Sequence, residues 1–185
     1  RQYCNHCAYP IKTCVCESIE LVEIPFRVII LQHKKESKHA KNTARLAKLI
    51  SPSIEIVELT NTKLLNTVVY SLNSANVIVL YPNEGSFALE DYSLTQGFKK
   101  EEVTNNNLVL VLVDASWRQA YGIYQQQKWL NIFPNCHFDV IPLKQYSIRK
   151  SKKGFQLSTI EALARSIEIL SGKSGQAYLN IFNYM

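Results

Sequence analysis

Four of the chain's five cysteines fall in its first sixteen residues: Cys4, Cys7, Cys14 and Cys16. Thiolates spaced C-x2-C-x6-C-x-C can close a tetrahedral shell around zinc, and a closed shell is a structural one. A redox pair or free thiols are the other uses of such residues. A redox CxxC opens a helix after a strand, and no strand-like run precedes Cys4. Clustering near one end favours a metal in a reducing compartment over a disulfide scaffold. His6 lies inside the knuckle and ranks below the thiols as a ligand.

A second set of chemically capable residues follows apolar runs. Asp114-Ala115-Ser116-Trp117 comes directly after Leu108–Val113 and places a carboxylate and an indole at the end of a strand. Helix capping explains Ser116 but not the acid and the indole together. Leu157-Ser158-Thr159-Ile160-Glu161-Ala162 has capping-box spacing, which accounts for Ser158 and Glu161. Its free N–H groups also suit an acceptor. His33-Lys34-Lys35-Glu36 follows a buried strand, with Lys38, His39, Asn42, Thr43 and Arg45 close behind. A charged cluster of this kind is either a solvated loop or a phosphate contact. Tyr146-Ser147-Ile148-Arg149-Lys150-Ser151-Lys152-Lys153 sets basic residues beside an aromatic, which suits a nucleic-acid backbone and an unstacked base. A solvated basic loop is the plainer reading.

The elements that must position these residues alternate. Phe26–Gln32, Ile54–Leu59, Asn76–Tyr81, Leu108–Asp114 and Phe138–Pro142 read as strands. Lys38–Ile50, Thr62–Leu72, Ser116–Leu130, and Ser158–Leu170 read as helices, with Ser116/Gln119 and Ser158/Glu161 in capping-box spacing. Gly172 and Gly175 break the last of these before a final helix to Tyr184. Residues 83–106 read as a long loop with a short helix, and 144–154 as a basic loop. Strand-then-helix order predicts an α/β fold with a mainly parallel sheet and flanking helices. Residues 1–24 form a small cysteine-rich segment before a domain over 25–185. In such sheets ligands sit beyond the carboxyl ends of the strands. His33–Ser37, Tyr81–Ser86 and Asp114–Trp117 lie there.

Composition adds less. At 185 residues the chain has room for a sizeable core. Its apolar runs have strand length, well short of a membrane span. The polar, cysteine-rich start contains no export signal, so the expected location is cytoplasmic. A net charge of +6 suits a polyanionic partner, nucleic acid being the commonest.

Taken together and in order, these motifs resemble the DTW-domain family. The resemblance rests on Cys4 to Cys16, His33 to Glu36, Asn42-Thr43-Ala44, Leu80-Tyr81-Pro82, Asp114 to Trp117 with Gln119-Ala120, Tyr146 to Arg149, and Ser158 to Ala162. It spans nearly the whole chain. The signature here reads Asp-Ala-Ser-Trp rather than Asp-Thr-Trp, and lysine follows His33 where proline is usual.

The resemblance implies a tRNA-uridine aminocarboxypropyltransferase. Such an enzyme moves the 3-amino-3-carboxypropyl group of S-adenosylmethionine to N3 of a uridine and releases methylthioadenosine. It also implies a SPOUT-like fold with a C-terminal trefoil knot. The donor is then expected against Leu80, Tyr81, Pro82, Leu112, Asp114, Ser116, Trp117, Leu157, Ser158, Thr159, Glu161 and Ala162. tRNA is expected against His33, Lys34, Lys35, Lys38, Arg45, Arg118, Arg149, Lys150, Lys152 and Lys153. Zinc is expected on the four N-terminal cysteines, with no membrane and no obligate protein partner. Asp114 is the candidate catalytic residue, as general base or as substrate orienter. Two rival classes stay open: a SPOUT-class RNA methyltransferase using the same donor, and a non-catalytic zinc-bearing RNA-binding module.

Overall fold

The computed structural model describes residues 2–73, 75–92, 107–140, 149–151 and 154–184, with the backbone alone for 149–151 and 154–156. Six strands form one parallel sheet: β1 (Arg27–Gln32), β2 (Glu55–Glu58), β3 (Asn76–Leu80), β4 (Phe87–Ala88), β5 (Leu108–Asp114) and β6 (Asn135–His137). Their order across the sheet is β2-β1-β5-β3-β6-β4. The central strand β5 pairs with β1 from Arg27↔Val109 to Gln32↔Asp114, and with β3 from Asn76↔Leu108 to Leu80↔Leu112.

Helices cover both faces, which is why the central strands carry unbroken apolar runs rather than alternating ones. Val28 and Ile30 of β1, Ile78 of β3, and Leu108, Leu110 and Leu112 of β5 point to one layer. That layer contains α2 (Thr43–Ile50), α5 (Thr159–Ser171), α6 (Gln176–Tyr184) and the cysteine segment. Ile29, Leu31, Val77, Val79, Val109 and Val111 point to the other, against α3 (Thr62–Ser71) and α4 (Trp117–Gln126). The expected α/β layering with a parallel sheet is therefore present.

Gly172 ends α5 in the left-handed region, at φ 69°. Gly175 lets α6 fold back onto α5, because a Cβ there would lie 2.6 Å from the Ala164 carbonyl oxygen.

Several boundaries differ from expectation, each for a local reason. The helix expected over Lys38–Ile50 starts only at Thr43, as α2, and a separate short helix, α1 (Lys34–Ser37), precedes it. The side chain of Asn42 accepts from Arg45 N at 2.9 Å and starts α2 at Thr43, while His33 Nδ1 accepts from Lys35 N and starts α1. The helix expected to run from Ser116 to Leu130 ends at Gln126. Gln127 leaves the helical region and a 3-10 turn covers Lys128–Asn131. The strand expected at Phe138–Pro142 is instead β6, whose Asn135 and Cys136 are buried while Asp139 and Val140 are exposed.

Within residues 83–106, Phe87–Ala88 joins the sheet edge and a 3-10 turn covers Leu89–Asp91. Residues 93–106 lie outside the described residues. Part of the basic stretch expected as a loop is a hairpin, β7 (Arg149–Ser151) antiparallel to β8 (Gly154–Gln156). The implied knot is not traced by the described residues, since residues 93–106, 141–148 and 152–153 lie outside them. No helix among the described residues is long and apolar enough to cross a membrane.

Candidate active site and metal centre

After β1 the chain leaves toward β2, whereas after β5 it passes to β6 on the opposite side. The carboxyl ends of these two neighbours therefore flank a crevice, the place where α/β sheets take ligands. A cleft of about 610 Å³ opens there, within the range of small-molecule sites. Every segment that follows a central strand contributes to its wall. Glu36, His39, Lys41 and Thr43 come after β1, Tyr81 and Pro82 after β3, Ala115 to Trp117 after β5, and Phe138 after β6. Leu80, Leu112 and Asp114 are the strand ends themselves, and Leu157, Ser158, Thr159 and Ala162 close the cleft from the start of α5.

Asp114 is buried at 8% exposure yet lines this cleft. Both its oxygens accept hydrogen bonds. Gln32 Nε2 donates to Oδ2 at 2.8 Å, and the Thr159 hydroxyl donates to Oδ1. Gln32 lies one strand over in register with Asp114, so the sheet itself sets the first contact. The capped start of α5 sets the second. Donors to both oxygens fix the plane of the carboxylate. A carboxylate has about four lone-pair sites, so acceptor capacity remains for a ligand.

Of the other residues expected at the donor, all but Glu161 line this same cleft. Trp117, 42% exposed, and Ser116 stand at the rim, and Ser116 makes its capping box with Gln119. Tyr81 stacks on Tyr124 with ring centroids 4.2 Å apart. Glu161, expected beside the donor, is 1% exposed and does not line the cleft. It accepts from Ser158 N at 2.8 Å and from Ser158 Oγ at 2.5 Å, which holds the turn carrying Thr159.

The cleft also contains residues that the sequence reading passed over as site residues. His137 lines it, with Nδ1 2.8 Å from Ser86 Oγ and Nε2 3.6 Å from Asp139 Oδ1. Its position at the end of β6 was hidden by the misplaced strand boundary. Behind the cleft wall, Gln32 is a buried polar side chain at the end of the apolar run of β1, and that was the available signal.

The arrangement of Asp114, Trp117 and the Ser158–Ala162 turn around one cleft agrees with the sequence pattern of the DTW domain, which matches residues 1–185. The chain belongs to the DTW-domain family. It is 26% identical to tRNA-uridine aminocarboxypropyltransferase 2 of Drosophila melanogaster, over 94% of this chain and 68% of that protein. It is 22% identical to tRNA-uridine aminocarboxypropyltransferase 1 of Xenopus laevis, over 87% of this chain and 64% of that protein. Against tRNA-uridine aminocarboxypropyltransferase A of Arabidopsis thaliana it is 26% identical over 65% of this chain and 49% of that protein. The chain thus spans between about half and two thirds of the length of these relatives. No solved structure matches it.

In this DTW domain the four N-terminal cysteines converge. Their Sγ atoms all lie within 4.8 Å of one another, with Cys4–Cys16 at 3.6 Å and Cys7–Cys14 at 3.8 Å. Four thiolates at about 2.3 Å from one tetrahedral zinc would be about 3.8 Å apart. The separations are far too long for disulfides, and all the cysteines are free. Backbone amides of Cys7 and His6 pull the Cys4 thiol down to about 6, whereas the Cys14 thiol beside Cys16 pushes that group up to about 12. Four thiolates so close repel one another unless a cation joins them, so this donor set fits a metal of zinc type.

The cysteine segment is anchored to the rest of the DTW domain. The hydroxyl of fully buried Tyr9 donates to the Asn42 carbonyl. Arg45 lies over the Tyr9 ring at 5.3 Å and donates to the carbonyls of Ala8 and Ser37 at 2.8 and 3.1 Å. Asn42 Oδ1 in turn accepts from Gln32 Nε2 at 3.2 Å. Tyr9, Asn42, Gln32 and Asp114 therefore form a continuous chain of contacts from the cysteines to the cleft.

Of the residues expected at RNA, Lys34, Lys35, Lys38 and Arg118 are exposed around the cleft-bearing end of the sheet, and His33 is half-buried. Arg45 serves the anchor just described. Arg149 and Lys150 are described in backbone only, and Lys152 and Lys153 lie outside the described residues.

Proposed function

We propose that this DTW domain transfers the 3-amino-3-carboxypropyl group of S-adenosylmethionine to N3 of a uridine in tRNA. The observation that carries the reading is the pinned carboxylate of Asp114 inside a cleft built from the segments that define the family. The named activity of the relatives supplies the reaction. The net charge of +6 and the exposed lysines beyond β1 suit an RNA substrate.

The donor supplies a sulfonium leaving group. In the transfer the N3–Cγ bond forms, the Cγ–S bond breaks with its electron pair returning to sulfur, and the N3 proton departs. Asp114, with acceptor capacity left over, takes that proton or orients the group that loses it. Leu80, Leu112, Leu157 and Ala162 provide apolar walls, and Trp117 and Tyr81 provide aromatic ones. Lys41 and His39, which line the cleft, would meet the carboxylate of the transferred arm. The chain's main task is to present Cγ rather than the methyl carbon in line with N3. The cysteine segment would hold zinc as a structural ion remote from the transfer.

Incubation with labelled S-adenosylmethionine and bulk tRNA, followed by nucleoside mass spectrometry, tests the reading. The expected products are methylthioadenosine and a uridine heavier by the aminocarboxypropyl group. S-adenosylhomocysteine with a methylated nucleoside would replace it by a methyltransferase. Absence of any donor binding would leave an RNA-binding module.

A further inference from the structure

A second cleft of about 640 Å³ adjoins the first and shares Tyr81 and Pro82 with it. Its wall is aromatic and amide-rich, with Tyr121, Tyr124, Asn83, Gln125 and Asn135 among its residues. No step of the proposed transfer uses it.

We infer that this cleft is a subsite for an unpaired nucleobase next to the target uridine in the RNA strand, an inference that rests on the RNA reading above. Three observations point to that occupant. First, the cleft is continuous with the donor cleft through Tyr81 and Pro82, so a strand with one nucleotide in the first reaches the second without leaving the surface.

Second, the ring chemistry suits a base. Tyr121 is 61% exposed although it is large and apolar. It stands one helical turn after Trp117 on α4, so the two rings line the same helix face. Behind it, Tyr81 and Tyr124 form a buried stacked pair. Bases stack on such rings with little regard for sequence.

Third, polar groups with spare capacity surround the rings. Asn83 Nδ2 donates to the Tyr124 hydroxyl at 2.7 Å, leaving that hydroxyl's own hydrogen without an acceptor among the described residues. Asn135, 6% exposed, uses its Nδ2 on the carbonyls of Leu130 and Phe133, and its Oδ1 is buried without a partner among the described residues. Gln125 extends the amide wall at the exposed edge. Amide and hydroxyl groups of this kind read the edges of an unstacked base. Arg118, exposed one residue after Trp117 on the same helix, is placed for the accompanying phosphate.

The test is a binding cycle with short single-stranded oligoribonucleotides. Each carries one central uridine and an abasic site scanned through the flanking positions. Affinities for the wild-type chain, Tyr121→Ala and Tyr121→Phe are measured by fluorescence anisotropy. Wild type should lose on the order of tenfold in affinity at one flanking abasic position, the usual size of a single base–aromatic stack. Tyr121→Ala should lose a similar factor on the intact strand and no more when the abasic site is added. Tyr121→Phe should behave as wild type. Calorimetry with S-adenosylmethionine should be unchanged in all three chains, which excludes a folding defect.

Equal affinity of wild type for the intact strand and for every abasic strand overturns the subsite, and so does an additive loss in the cycle. Failure of wild type to bind any strand overturns both the subsite and the RNA reading. A coupled loss in a chain that transfers nothing would strike only the reaction assigned to the neighbouring cleft.

Discussion

Asp114 cannot rotate freely, because Gln32 and Thr159 hold its two oxygens from neighbouring elements. Asp114→Asn keeps that geometry: the amide oxygen can accept from Gln32, and the amide nitrogen can donate to Thr159 once its hydroxyl turns. The substitution should therefore preserve the fold and most donor binding. It should lower the transfer rate by on the order of 10²–10⁴, the size of a general-base contribution. Single-turnover rates beside calorimetry of donor binding check this. Weakened donor binding in parallel with the rate would make Asp114 an anchor for the donor. Near-normal turnover would remove it from the reaction and bring forward His137 or His33. Cys136 offers a second residue-scale test. Burial pushes its thiol up to about 12, so the neutral form is favoured and its contribution to stability is intact at neutral pH. That contribution fades only as pH climbs from the ordinary thiol range toward about 12. After chelation, an aromatic disulfide reagent should titrate the four N-terminal thiols while Cys136 stays silent until the chain unfolds. Five thiols reacting at one rate would show that Cys136 is not sealed.

Elements explain what was legible in the residues and what was not. β1, β3 and β5 announced themselves because strands buried on both faces are unbroken apolar runs. Both capping boxes could be read because Ser116/Gln119 and Ser158/Glu161 act within three residues. Asp114, Trp117 and Thr159 could be assigned to one site from family motifs set at the ends of elements. The pairing of Gln32 with Asp114 was out of reach, since it depends on which strands are neighbours across 82 residues. β6 was misplaced because Asn135 and His137 do not resemble a strand, and only its parallel pairing with β3 and β4 makes it one. Glu161, expected beside the donor, is instead bonded to Ser158 in the turn that lines the cleft. Asn42 shows the same limit, since one side chain starts α2, meets Gln32 and reaches the carbonyls of Glu36 and Ser37. Asn42→Ala should cost about 1–3 kcal/mol, as a missing cap and a buried group left short of a partner. Chemical denaturation measures it, and a change under about 0.5 kcal/mol, the usual size for an unremarkable surface site, would show that the network is dispensable.

At the scale of the whole molecule, the cysteine segment and the cleft are expected to respond together. The purified chain should contain about one zinc. Chelation should lower both the midpoint of unfolding and the transfer rate, because Tyr9 and Asn42 connect the segment to Gln32 and Asp114. Metal analysis showing none, with the four thiols freely reactive, would refute the metal centre. Unchanged transfer after complete chelation would refute the coupling. Charge is the second whole-molecule property. Reversing Lys34, Lys35 and Lys38 to glutamate should weaken tRNA binding and flatten its salt dependence, by roughly 0.7–0.9 in slope for each phosphate that is no longer neutralised. An unchanged slope would show that these lysines are only solvated.

The sheet order has a consequence for how such a chain comes into being. β1 and β3 never touch each other; the slot between them belongs to β5, which the ribosome delivers last of the three. Until residue 114 has emerged, β1 can pair only with β2, and β3 has no neighbour for its whole length. The edges of β1 and β3 that pair with β5 wait without their final partner until then. Sheet assembly is therefore delayed until most of the polypeptide exists, and pairing over long separations is slow and open to aggregation. Nascent chains stalled before β5 should be protease-sensitive throughout, and resistance should appear in a single step once β5 and α5 have left the exit tunnel.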